Sequence, residues 1–150
     1  MRSLSKQETE LWCRLHEIAL NNSGLPERSD ASVRFDIPAD TQKRVALVAR
    51  GMEAFRHSPQ ILVWFDDWNV WPSGQRMHIF ERFRMSYGET RRLIETPAHI
   101  FEEGDYEDAV SFVTLAVMFL WDCYVTTAKR SRLLFFSHDE YGLMKGLEFT

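Results

Sequence analysis

The chain has only two cysteines, Cys13 and Cys123, far apart and in apolar settings, with no C-x-x-C pair. That excludes a disulfide scaffold and the usual spacing of zinc ligands, and both thiols are expected to be buried and reduced. Long apolar runs are absent as well. The longest, Ala109 to Trp121, is broken by Ser111 and Thr114 and closed by Asp122, whereas a transmembrane helix needs roughly 20 residues. No export signal is expected at the start, because Lys6, Glu8 and Glu10 follow Leu4 at once. Basic residues are in the minority: 18 Lys and Arg against 22 Asp and Glu leave a net charge of -4. That balance argues against nucleic acid or an anionic membrane as partner. Repeats, low-complexity stretches and linkers are missing, and so are G-x-S-x-G, P-loop and G-x-G-x-x-G motifs. The expectation is a soluble cytoplasmic protein with no recognisable catalytic signature.

What is present suits one globular domain over residues 1–150. With 45% apolar residues, folding at this size should bury about 70% of the unfolded surface. Ser5-Lys6-Gln7-Glu8 is a capping box opening a helix expected to run to Asn21, with Leu11, Trp12, Leu15, Ile18 and Ala19 as its apolar stripe. Residues Leu25 to Ile37 read as loop. A second helix is expected from Pro38 or Asp40 to about Arg56 along Val45, Val48, Met52 and Phe55. Ile61 to Phe65 is a short β-forming run between a proline and a polar cluster, the pattern of a buried strand. A third helix follows, with Ser73 as N-cap and Gly88 as its stop, then an irregular segment from Glu89 to Gly104. Asp105 should cap a fourth helix, apolar on nearly every face and packed on all sides. Cys123–Thr127 and Arg132–Phe136 read as a hairpin, and the remainder as a short tail. The expected class is α+β, in the order α-α-β-α-α-β-β, with a sheet of about three strands, antiparallel or mixed, packed with four main helices.

The segment most expensive to place is Trp64 to Trp71, which holds three of the five tryptophans around Asp66 and Asp67. Indoles favour burial, while adjacent ionised carboxylates need water, a cation or a donor. In an antiparallel hairpin the start of the first strand lies beside the end of the second. Asp122 should therefore lie near His138, Asp139 and Glu140. If the Trp64 strand pairs in the orientation that brings its own end there, Asp66 and Asp67 join them. Such a group could hold a divalent cation through oxygen ligands, split its pKa values for acid–base work, or present a negative patch to a basic protein. It could also be no more than the polar ends of strands. Trp68 and Trp71 could stack a ligand or cover helix ends. Ser137-His138-Asp139 has the residue types of a triad, but consecutive positions of an extended chain face opposite ways. The pairs His78–Glu81 and His99–Glu102 have ligand-compatible spacing on a helix, where a solvated face is the plainer reading.

Trp68-x-Val70-Trp71-Pro72-Ser73, Arg84-x-Ser86-Tyr87-Gly88, Pro97-x-His99-x-Phe101, Trp121-Asp122 and Ser137-His138-Asp139-Glu140 together resemble a group of small uncharacterised bacterial proteins. The resemblance covers about residues 64–141. It implies a small bacterial cytosolic protein and assigns no catalytic residue. The Ser-His-Asp-Glu ending is also similar to sequences from bacterial toxin–immunity systems. From residues and resemblance together, the leading expectation is a non-enzymatic interaction module, inhibitor- or immunity-like, that needs no cofactor. It would meet a basic partner through Asp66, Asp67, Trp68, Trp71, Asp122, His138, Asp139 and Glu140. The alternatives are a metal-assisted hydrolase using Asp66, Asp67, Asp122 and His138 with a divalent cation, or a small-ligand module using Trp68 and Trp71.

Overall fold

The computed structural model describes residues 1–28, 33–68, 77–128 and 130–146. In chain order the elements are β1 (Arg2–Leu4), α1 (Lys6–Leu15), β2 (Val33–Asp36), α2 (Thr41–Glu53), β3 (Gln60–Phe65), α3 (Met77–Ser86), β4 (Ala98–Glu102), a short 3-10 turn, α4 (Tyr106–Met118), β5 (Cys123–Thr127), β6 (Arg130–Phe136) and β7 (Tyr141–Lys145). The strands form one antiparallel sheet in the order β1-β4-β3-β5-β6-β7-β2. The class is α+β, with four helices among the described residues, but the expectation of about three strands is wrong: the described residues form seven. The three expected strands are its centre. The other four lie outside the longest apolar runs.

Each omission has a physical reason. β1 and β2 are edge strands of three and four residues, too short to show a period. β4 follows Pro97 directly and lies in a segment otherwise full of polar and charged residues. β7 alternates, burying Gly142 and Met144 while its other residues stay half-exposed, but the glycine hides the pattern. The glycine is required there, because a Cβ would lie 2.1 Å from the Phe35 ring that crosses it.

The capping box forms as expected: Glu8 N donates to Ser5 Oγ and Ser5 N to Glu8 Oε2. The helix it opens stops at Leu15, however, and the chain turns through Glu17 at φ 58. Of the expected stripe α1 buries Trp12, together with Thr9 and Cys13, and leaves Leu11 and Leu15 exposed. Asp40 caps α2 by accepting from Lys43 N at 2.9 Å. Asp105 makes no capping bond to α4 and accepts instead from the Met1 amino group at 2.7 Å. Nor is α4 packed on all sides. It buries Ala109, Phe112, Val113, Ala116 and Val117, while Val110, Leu115 and Met118 are only half-buried.

Strand alternation separates two cores. Ile61, Val63 and Phe65 of β3 face a large core with residues of α2, α3 and α4, whereas Leu62 and Trp64 face a smaller one under α1 with Trp12, Ile100, Tyr124 and Phe135. Phe112 sits amid the large core, its ring 5.1 Å from Phe65, 5.1 Å from Phe80, 5.0 Å from Phe83 and 4.7 Å from His99. Among the described residues no helix is long and apolar enough to cross a membrane.

Candidate functional site

One rim of the sheet gathers most of the chemically expensive residues. β3 and β5 are antiparallel with Phe65 opposite Cys123, and β5 and β6 with Cys123 opposite Phe136. The end of β3, the start of β5 and the end of β6 therefore lie side by side. Asp66, Asp67, Asp122, His138 and Asp139 come to this rim together, in the orientation that the sequence left open for the Trp64 strand.

The backbone locks the first three. Asp66 N donates to Asp122 O at 3.1 Å and Asp122 N to Asp67 O at 2.8 Å. Two residues thus face one, the hydrogen-bond pattern of a β-bulge, a device that re-aims side chains at a sheet end. Asp122 in turn holds the next strand. Its Oδ1 accepts from His138 N at 2.7 Å and lies 2.8 Å from the imidazole Nδ1, which fixes the ring proton on Nδ1. The other ring nitrogen, Nε2, is 3.5 Å from Asp139 Oδ1.

The turn that carries His138 is built by its own residues. Asp139 N donates to Ser137 Oγ at 3.2 Å, Glu140 N to Ser137 O at 3.1 Å, and Ser137 N to Tyr141 O at 2.8 Å. Glu140 adopts φ 60, an uncommon conformation for a side chain with a Cβ. Its carbonyl accepts from Ile37 N at 2.9 Å, and its carboxylate pairs with Arg44 of α2. Arg44 is itself buried and donates from Nε to Pro38 O at 2.6 Å. It was not among the expected site residues, and no sequence signal would have found it. An arginine near the start of an amphipathic helix reads as solvated until topology places a carboxylate against it.

Charge on the rim is therefore uneven. Glu140 is compensated within the chain by Arg44. Asp66 forms no ion pair among the described residues. It stays open to solvent but lines a cleft whose walls strip part of its hydration. That desolvation, then the charges of Asp122 and Asp67, push its carboxyl above the ordinary value, against the opposing pull of Arg28 and Lys6. For His138 the largest influence, burial, works against the charged ring. The Asp122 hydrogen bond and the fields of Asp122, Asp139 and Asp67 together outweigh it and raise the imidazole above its ordinary 6.5.

Other candidates resolve differently. Trp68 is only 9% exposed and packs 6.3 Å from Trp121, so most of its ring belongs to the large core. Trp71 lies outside the described residues. Ser137 is buried and its hydroxyl is taken by Asp139 N, and the carboxylate orienting His138 comes from Asp122 rather than from its own turn. His99 lies on β4, not on a helix, and is fully buried, so its pairing with Glu102 on a helix face does not occur. Among the described residues no three His, Cys, Asp or Glu side chains are placed to hold a metal ion. No known protein family, curated protein or solved structure matches the chain.

Proposed function

We propose that the chain is a protein-interaction module of the inhibitor or immunity type, which docks its acidic rim on a basic patch of a partner protein. The observation that carries this reading is the meeting of three strand ends, where the charges of Asp67, Asp122 and Asp139 act on the His138 imidazole and Asp66 stands beside Asp122 and Asp67. Like charges set this close oppose folding through repulsion and lost hydration, as the raised Asp66 carboxyl reflects. The arrangement is useful when an external cation completes it. Complementary potentials then steer encounter and reject wrong partners. Arg44 and Asp122 act as positioning residues, since one holds the turn and the other the imidazole.

The test is to capture partners from the native host with the wild-type chain and an Asp66→Asn, Asp67→Asn, Asp139→Asn variant. Asp122 is left in place because it accepts two bonds from His138. A basic protein should be retained by the wild type, and the variant should bind it up to about a hundredfold more weakly, roughly 1 kcal/mol for each lost charge. Equal retention by both proteins would overturn the reading.

A further inference from the structure

Beside the acidic rim, the start of α1 and the end of β3 enclose a cleft of about 340 Å³, within the range of small-ligand sites. Lys6 and Asp66 both line it, with Trp64, Trp68, Leu25 and Pro97 among its apolar groups. The two charges sense each other, yet neither forms an ion pair within 4 Å among the described residues. Lys6 also occupies the first position of α1, where the helix dipole disfavours a cation. The field of Asp66 offsets that placement only in part, without an ion pair among the described residues. An anion arriving from outside would offset it.

From this geometry we infer that the cleft binds a small dipolar ion of the α-amino-acid class, with its ammonium on Asp66, its carboxylate on Lys6 and an apolar side chain against Trp64, Trp68 and Pro97. A ligand with a single charge satisfies one of the two charged side chains and leaves the other beside an apolar group. A cation alone meets Lys6 and Arg28 as well as Asp66, and an anion alone meets Asp66. Only a ligand carrying both charges is attracted at both ends. The site shares Asp66 with the docking rim but does not depend on a protein partner.

Calorimetric titration of the full chain with L-phenylalanine, L-leucine and L-methionine tests this directly, with phenethylamine and 3-phenylpropionate as singly charged controls. At least one amino acid should bind in the millimolar range or tighter, and about tenfold more tightly than its singly charged analogue, the difference one charge-assisted contact makes. Lys6→Gln and Asp66→Asn, both at exposed positions, should each weaken binding about tenfold while leaving the circular dichroism melt two-state. The double exchange Lys6→Asp with Asp66→Lys should recover part of the loss. Lys6→Gln also separates this site from the docking rim, since removing a cation leaves a basic partner's binding intact or stronger. Absence of binding by all three amino acids, equal binding of the singly charged controls, or wild-type affinity in both single variants would overturn the inference.

Discussion

The interior under α2 and α4 and the rim where β3, β5 and β6 end each contain an imidazole, and the two are driven in opposite directions. His99 is fully buried beside Phe65 and Phe112, and neither ring nitrogen makes a hydrogen bond of good geometry among the described residues. Burial first, and then the nearby Arg84 guanidinium, hold it well below 6.5, despite weaker opposing pulls from the Val63 backbone and Glu89. His138 feels burial too, but a carboxylate hydrogen bond and three acidic neighbours reverse the result. The interior is organised to keep charge out and gains stability from aromatic packing. The rim concentrates charge of one sign and loses stability by doing so. Function is expected where local order runs against stability.

That contrast can be broken at several points. The largest effect should come from the interior: Phe112→Ala removes a ring touching at least five others and should cost about 3–5 kcal/mol, read from the denaturant midpoint. A loss within surface-substitution range would mean that the packing is not the source of stability. Next is acid sensitivity. Because the folded value of His99 is depressed, its contribution is intact above 6.5, and stability falls as pH drops below that value, by up to about 1.4 kcal/mol per pH unit. His99→Leu should flatten this loss. His138 has the opposite sign: its contribution is present below 6.5 and disappears as pH rises through its raised folded value. An NMR titration should find the His138 ring above 6.5, and Asp122→Asn should bring it down, leaving burial as the main influence. The smallest effect is expected at Asp66. Replacing it with Asn removes a carboxylate that the cleft walls, Asp122 and Asp67 disfavour, so the melting temperature should rise slightly even as binding weakens. A fall would show that Asp66 serves the fold rather than a ligand.

How far these regions could be read from sequence depends on where their information lies. β3 holds a continuous apolar run and β5 and β6 are β-forming segments around a short polar loop, and antiparallel geometry alone then places Asp122 beside His138. The four outer strands carry no such run. Their pairing is decided by the neighbours they complete, as with Phe35 lying across Gly142. The same holds for α1, whose apolar positions predict a longer buried stripe, while the actual stop comes from the turn at Glu17 and leaves Leu11 and Leu15 outside. Arg44 shows the limit most clearly. Its value lies wholly in a contact with Glu140, almost a hundred residues away in the chain, and no local pattern encodes it. Trp68 reads from sequence as either a stacking platform or a cover for helix ends, because its neighbours are polar, and Trp121, arriving from beyond α4, packs against it.

The claim that the acidic rim is the docking face is tested most directly by hydrogen exchange on the chain with its captured partner bound. Protection should rise at residues 65–68, 121–123 and 137–140, and the opposite rim around Thr126, Thr127 and Arg132 should exchange as in the free protein. Protection confined to that opposite rim, or to the exposed Leu11 and Leu15 face of α1, would contradict the account.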